Sequence, residues 1–243
     1  MRALHSETPS RLRSPIHESL TLLRAALAEQ RFGNVATVSS FGADSAVLLH
    51  LVAQVDRSTP VIFIDTRMLF QETLDYKNEL IRFLGLTDVR VVAPNGQVIR
   101  EQDPWGSLHK SNPDACCALR KTDVLRQALD GFDAWISGRK RHQSFNRSGL
   151  SHIENQVNGK TKLNPLADWS AEDLKEYASL FDLPQHTLVN QGYPSIGCAP
   201  CTSKVSEGED MRSGRWRGMD KIECGIHFEN GKIVRTGAGN NNG

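Results

Sequence analysis

The stretch Val35-Ala36-Thr37-Val38-Ser39-Ser40-Phe41-Gly42-Ala43-Asp44-Ser45, followed by the apolar run Ala46 to Ala53, decides how this chain is read. A short apolar, β-branched segment reads as a buried strand, and the apolar run after the loop has helical character. Between them lies a small polar loop. Backbone N–H groups at the start of such a helix have no partner within the helix and favour an anion. Gly42 lets a ligand approach the backbone, and Ser39, Ser40 and Ser45 add hydroxyl donors. An ordinary strand-to-helix turn draws on the same residue types, so anion binding and simple turning both stay open here. The loop carries neither a Walker Gly-Lys-Ser/Thr nor a Gly-x-Gly-x-x-Gly fingerprint.

Outward from this unit the pattern repeats. Val61 to Asp65 reads as a second buried strand, Phe70 to Leu84 as a helix stopped by Gly85, and Val89 to Val92 as a third strand. A helix is expected over Ala115 to Leu129, with Asp114 as N-cap after Pro113, and a fourth strand over Ala134 to Ser137. Upstream, Ser14-Pro15 reads as a helix start, with Ile16, Leu20, Leu23 and Leu27 at helical spacing and Gly33 as the stop. Short strands alternating with helices define an α/β fold, a mostly parallel sheet with helices on both faces. Asp65-Thr66, ending the second strand, falls at the same sheet edge as the loop, where open α/β proteins take ligands.

Beyond residue 150 the rhythm changes. His152 to Gln156 and Lys160 to Leu163 flank Asn158-Gly159, a hairpin signal, and Ser170 with Asp173 starts a helix to about Phe181. After Cys201 apolar residues thin out and glycines accumulate. The expected division is therefore an α/β domain over 1–201, carrying the polar loop and both cysteine pairs, and a mobile segment over 202–243, with Gly237 to Gly243 disordered.

Composition narrows the function classes. With 29 basic and 28 acidic residues the net charge is +1, which argues against broad nucleic-acid binding. No apolar run approaches the ~18 residues of a membrane helix, and Met1 to Pro15 lacks a signal-peptide core, so a cytoplasmic protein is expected. Its five cysteines are then thiols or metal ligands instead of disulfides. Cys116-Cys117 and Cys198-Ala199-Pro200-Cys201 form two pairs of a kind that core packing does not generate. Adjacent ligands suit a cuboidal [4Fe–4S] cluster better than one tetrahedral zinc ion, which stands second. Lys121, four residues after Cys117, lies either beside the cluster or in solvent. Cys224 stands apart, in Glu223-Cys224-Gly225-Ile226-His227. It is an incidental cysteine or a reactive thiol, with Lys221 and His227 favouring the thiolate and Glu223 opposing it.

The Ser-x-Gly-x-Asp-Ser loop resembles that of the PP-loop, adenine nucleotide alpha-hydrolase-like proteins. The chain as a whole, over roughly 35–228, resembles the assimilatory adenylyl-sulfate (APS) reductases of the APS/PAPS reductase family. Besides the loop and both cysteine pairs, the resemblance rests on Ile64-Asp65-Thr66, Gly138 through Gln143-Ser144, Asn164-Pro165-Leu166, Gly192-Tyr193-Pro194, Arg212-Ser213-Gly214-Arg215-Trp216 and the Cys224 motif. It implies reduction of APS by thioredoxin to sulfite and AMP in cysteine biosynthesis, through an S-sulfocysteine on Cys224. It further implies a [4Fe–4S] cluster on Cys116, Cys117, Cys198 and Cys201. Ser39, Ser40, Phe41, Gly42, Ser45, Asp65, Thr66 and Gly138 then fall on the nucleotide, and Lys121, Arg147, Arg212, Arg215 and His227 on its anionic groups.

The basic run Arg139, Lys140 and Arg141 could belong to the anion site, with at least one of the three read as solvated; Trp105, Trp135 and Trp169 are read as packing residues, with Trp216 covering the substrate. Two positions depart from the family: Arg67 replaces the glycine of Asp-Thr-Gly, and Val189-Asn190 replaces Leu-His. Reduction of PAPS, an iron–sulfur PP-loop tRNA thiolase and an iron–sulfur redox sensor are the competing readings; neither nucleic acid nor membrane is expected as partner, and oligomeric state is left open.

Overall fold

The computed structural model describes residues 8–143, 147–156, 158–219, 221 and 223. Cys224 and His227, Ser144 and the expected disorder over 237–243 therefore lie outside the described residues. Six strands form one sheet: β1 (Val35–Val38), β2 (Val61–Ile64), β3 (Val89–Val92), β4 (Ala134–Ile136), β5 (Ile153–Asn155) and β6 (Thr161–Leu163). Their order is β3-β2-β1-β4-β6-β5, all neighbours parallel except the edge hairpin β5–β6, where Ile153 faces Leu163.

Period-two alternation sends successive strand residues to opposite faces. Val61 and Phe63 join a large core with α1 (Ser10–Leu27), α2 (Ser45–Val55), α3 (Gln71–Leu84) and the later α8 (Ala171–Leu180). Ala36, Ile62 and Trp135 face the other way, onto Leu125 and Leu129. Helix α2 is buried from Ala46 to Ala53, which explains why its sequence is apolar all round. Among the described residues, no helix is long and apolar enough to cross a membrane.

Several local expectations are corrected. Helix α1 starts at Ser10, not Ser14, and keeps Pro15 inside it. Leu12 is wholly buried, and Arg11 pairs with Glu172 (2.5 Å) and Glu176 (2.6 Å) of α8. These tertiary contacts outweigh the one backbone bond that proline removes. The helix also ends at Leu27, short of Gly33. The expected 115–129 helix is three pieces: α6 (Pro113–Cys117), a π-helical turn over Ala118–Thr122, and α7 (Asp123–Ala128). Its cap is Asn112, whose side chain accepts from Ala115 N at 3.0 Å, with Pro113 at the first helical position. Two short helices, α4 (Gly96–Gln102) and α5 (Leu108–Ser111), carry too little apolar periodicity to be read beforehand. Helix α8 does start at the Ser170–Asp173 pair, as a reciprocal capping box.

The start of the segment expected over 202–243 makes backbone hydrogen bonds, within itself and to Gly192 and Cys201. Thr202 bridges Arg215, Ser203 N donates to Gly214 O (2.8 Å), and Val205 N donates to Gly192 O (2.9 Å). Trp105, expected in the packing, is 89% exposed, whereas Trp169 is buried and its Nε1 donates to Ser19 Oγ at 2.9 Å.

Two histidines are folded in without charge. His50 shares a 2.8 Å hydrogen bond with Tyr177 Oη, and His186 Nδ1 accepts from Leu188 N at 3.2 Å. Burial pushes both imidazoles down to about 4 from the usual 6.5. The unfolded chain therefore takes up these protons first, and stability present above the unfolded value is lost as pH falls towards 4. By linkage the loss at pH 5 is about 2 kcal/mol per histidine. Denaturant melts at pH 7 and pH 5 are expected to show it, with His50→Gln flattening the pH dependence; equal slopes would refute the assignment.

Candidate active site at the switch point of the sheet

The strand order reverses between β1 and β4, and a cleft of about 320 Å³ opens at their carboxyl ends. One wall is the loop after β1, contributing Ser39, Ser40, Gly42, Asp44 and Ser45. Phe41 turns inward instead, fully buried, with its ring edge-on to Phe63 at 5.4 Å. This places Phe41 at φ +48°, a strain of about 1–2 kcal/mol for a non-glycine residue. Burying a phenyl ring contributes about 1.5–3 kcal/mol, enough to offset it. Asp44 makes no side-chain cap on α2; its Oδ2 accepts from Lys140 Nζ at 2.8 Å.

The opposite wall is cationic. Arg139 and Lys140 are buried at the cleft, while Arg141 is the part-exposed member of the run, pointing away and pairing with Asp168. Arg139 pairs with Glu154 at 3.2 Å, and Lys162 lies 4.0 Å from the same carboxylate. Burial, reinforced by Arg139, pushes the Lys162 ammonium down to about 7. Burial also lowers Lys140, against the opposing pull of Asp44. Arg147 donates to Gln143 Oε1 and, at 2.9 Å, to Glu223 Oε2; Arg212 reaches the same oxygen at 3.4 Å. The Arg215 guanidinium stacks 4.5 Å from the Trp216 ring, and its buried Nε has no hydrogen-bond partner among the described residues. Gly197 makes room for it, since a Cβ there would stand 2.1 Å from Arg215 Nη2.

Beside this cleft, Cys116, Cys117, Cys198 and Cys201 border one small cavity, together with Met68, Pro113, Arg120, Lys121 and Trp216. None of the four is in a disulfide. The tandem pair closes α6 just before the π-helical turn, a distortion that recurs at functional sites. The C-x-x-C pair is held by backbone: Cys198 bridges Leu69, Ala199 N donates to Met68 O (2.7 Å), and Trp216 N donates to Cys201 O (3.0 Å). Thr66 Oγ1 lies 3.2 Å from Cys198 Sγ. Burial pushes the Cys116 and Cys201 thiols up. Among the described residues no three cysteine sulfurs lie within 4.8 Å of one another; the one metal-type group that close is Glu18, His152 and Asp168 at the surface.

Lys121 and Trp216 line both the cleft and the cysteine cavity. Of the residues singled out from the sequence, Ser39, Ser40, Gly42, Ser45, Thr66, Lys121, Gly138, Arg147, Arg212 and Arg215 line the cleft. Phe41 and Asp65 stand apart from it. Asp65 Oδ1 instead accepts from Arg67 N at 2.9 Å, stabilising the turn in which Arg67 takes φ +62°. Arginine thus keeps a left-handed, glycine-like conformation despite its side chain. Lys162 and Glu223 were missed: a lysine in a strand and an acid in a polar segment carry no local signal of burial in a cationic site.

An open α/β fold with a cationic cleft at its switch point and a cysteine cavity beside it defines a class of α/β proteins with an anion-type site where such folds take ligands. The family model of the phosphoadenosine phosphosulfate reductase domain matches residues 34–204, and the chain belongs to this family. It is 49% identical to the adenosine 5′-phosphosulfate reductase of Chelativorans sp., over 83% of each chain. It is 45% identical to that of Mesorhizobium japonicum, over 90% of this chain and 86% of the relative. A phosphoadenosine 5′-phosphosulfate reductase of Gloeobacter violaceus is 39% identical over 78% of this chain and 80% of its own. Among solved structures, a phosphoadenylyl-sulfate reductase from Candida auris in a phosphate complex superimposes with a TM-score of 0.66 and 25% identity, covering 84% of this chain and 100% of that one. Yeast FAD synthetase shares the fold, with a TM-score of 0.58 and 18% identity over 83% of this chain and 71% of its own.

Proposed function

We propose that this protein reduces adenosine 5′-phosphosulfate to sulfite and AMP, with thioredoxin as reductant, in the sulfate assimilation that feeds cysteine biosynthesis in the cytoplasm. The observation that carries the reading is the cysteine cavity adjoining the cationic cleft, with Lys121 and Trp216 common to both. The APS names of the relatives at 49% and 45% identity support APS over its 3′-phosphorylated analogue.

The four cysteines fit an iron–sulfur cluster better than zinc. Tetrahedral zinc at a Zn–S distance of ~2.3 Å needs sulfurs about 3.8 Å apart, closer than any three of these sulfurs come. Cys116, Cys117, Cys198 and Cys201 would hold a [4Fe–4S] cluster. When bound, it supplies compact negative charge beside Lys121.

The remaining steps belong to the protein's own side chains. Ser39, Ser40 and the amides at the start of α2 take the nucleotide phosphate, and Gly42 admits it to the backbone. Lys121, Arg147, Arg212 and Arg215 surround the sulfate, and Trp216 covers it. The Cys224 thiolate attacks the APS sulfur; the new S–S bond forms as the bridging S–O bond breaks, and AMP leaves with the electron pair. The cationic wall offsets charge on the departing phosphate. A thioredoxin thiolate then attacks Cys224 Sγ and expels sulfite. Its second thiol resolves the mixed disulfide, so the dithiol supplies both electrons.

Sulfite release measured with APS and with PAPS, each with reduced thioredoxin, tests the proposal. A clear preference for APS is expected, from a protein purified anaerobically with about four irons per chain, as the cluster type requires. A preference for PAPS, or a colourless zinc protein, would overturn the corresponding part.

A further inference from the structure

Among the described residues, three carboxylates border the cleft, and they are used differently. Asp44 is held by Lys140 Nζ at 2.8 Å, and Asp210 Oδ1 accepts from Arg212 N at 2.8 Å within its own turn. Glu223 instead reaches two guanidiniums from different parts of the chain: Arg147, 76 positions away, at 2.9 Å, and Arg212, 11 positions away, at 3.4 Å, both on Oε2. The Arg147 side chain is only 6% exposed and that of Glu223 20%. A carboxylate oxygen accepting from two guanidiniums matches, in charge and acceptor geometry, the oxyanion that such a pair binds.

We propose that Glu223 is an internal anion: it occupies the Arg147–Arg212 subsite in the ligand-free protein and yields it to the sulfate or phosphate group of an incoming nucleotide. The inference rests on the reading of the cleft as a sulfonucleotide site. Two partly desolvated guanidiniums repel each other without a counter-ion, and burial and Arg147 both lower Arg212 while Glu223 opposes them. The carboxylate therefore stabilises the empty site and competes with the ligand in the full one. Glu223 also directly precedes Cys224 in sequence. The exchange thus frees the residue before the proposed nucleophile when substrate arrives, so Glu223 is a positioning residue that touches no reacting atom.

Competition of this kind lowers apparent affinity by the fraction of molecules whose subsite is open. If Glu223 fills it in nine of ten molecules, removing its charge tightens binding about 10-fold. The test is calorimetric titration of the full chain with inorganic sulfate and with AMP, at fixed low ionic strength, for wild type, Glu223→Gln and Glu223→Asp. Glu223→Gln is expected to bind sulfate about 10-fold more tightly and to lower KM for APS without raising kcat, while Glu223→Asp keeps the wild-type affinity. A carboxylate with a merely structural role predicts unchanged or weaker sulfate binding in Glu223→Gln, and either result overturns the inference. The two readings fail separately. Tighter sulfate binding in Glu223→Gln with no sulfite from wild type would sink the reaction and leave the internal anion standing; sulfite from wild type with unchanged sulfate affinity would do the reverse.

Discussion

Cys224→Ser is expected to bind AMP like the wild type, yet to form no sulfite and to gain no sulfonate when mixed with APS. Intact mass spectrometry before and after APS, without thioredoxin, reads this directly. Wild type should acquire one sulfonate, on Cys224. Turnover should fall by roughly 10³-fold or more, the scale on which losing a covalent nucleophile acts. Serine is nearly isosteric but remains protonated at neutral pH, so it keeps the shape and removes the thiolate chemistry. The four paired cysteines border a common cavity, and the proposed mechanism assigns the reaction to the fifth. An adduct on any other cysteine, or one surviving in Cys224→Ser, would end the proposed mechanism.

Asp103→Ala is expected to destabilise the protein strongly, by about 3–5 kcal/mol. Asp103 and Arg120 form an ion pair of 2.7 Å, with side chains 2% and 5% exposed. Burial pushes the Asp103 carboxyl up, but the hydrogen bonds from Arg120 and the Leu108 amide outweigh it and hold the group below its usual range. The Arg120 Nη1 also donates to Thr66 O at 3.0 Å, and Thr66 Oγ1 meets Cys198. One pair therefore ties the end of α4, the turn after β2 and the C-x-x-C loop together. Removing the acid strands a buried guanidinium, which costs about 3–5 kcal/mol, or a fall in melting temperature on the order of 10 °C. Retention of iron by the proposed cluster should fall with it. The double variant Asp103→Ala, Arg120→Met should regain part of the loss, because the orphaned charge is gone. A single variant as stable as wild type would show that the pair is solvated in the working protein.

Local pattern made much of the architecture legible. The run Val35 to Ala53 declared a strand, a loop and a buried helix because each depends on neighbours within a few residues. Asn158-Gly159 and the Ser170–Asp173 box were readable for the same reason. Longer-range competition explains the misses. Helix α1 extends to Ser10 because Leu12 and Arg11 find partners in the core and on α8. Helical periodicity over 115–129 is real, but the chain widens into a π-helical turn directly after the tandem cysteines. Phe41 reads as a loop residue facing a ligand, yet its apolar burial decides its direction.

The residue order alone assigned the α/β class, the polar loop after the first strand and the sorting of five cysteines into four paired and one apart. Each of these follows from spacing along the chain. Folding decided which side chains share a cleft: that Lys121 and Trp216 line both cavities, that Arg139, Lys140 and Lys162 are buried charges, and that Glu223 sits between Arg147 and Arg212. Such charges depend on partners dozens of residues away and on the desolvation that only a closed core imposes, so no local pattern encodes them.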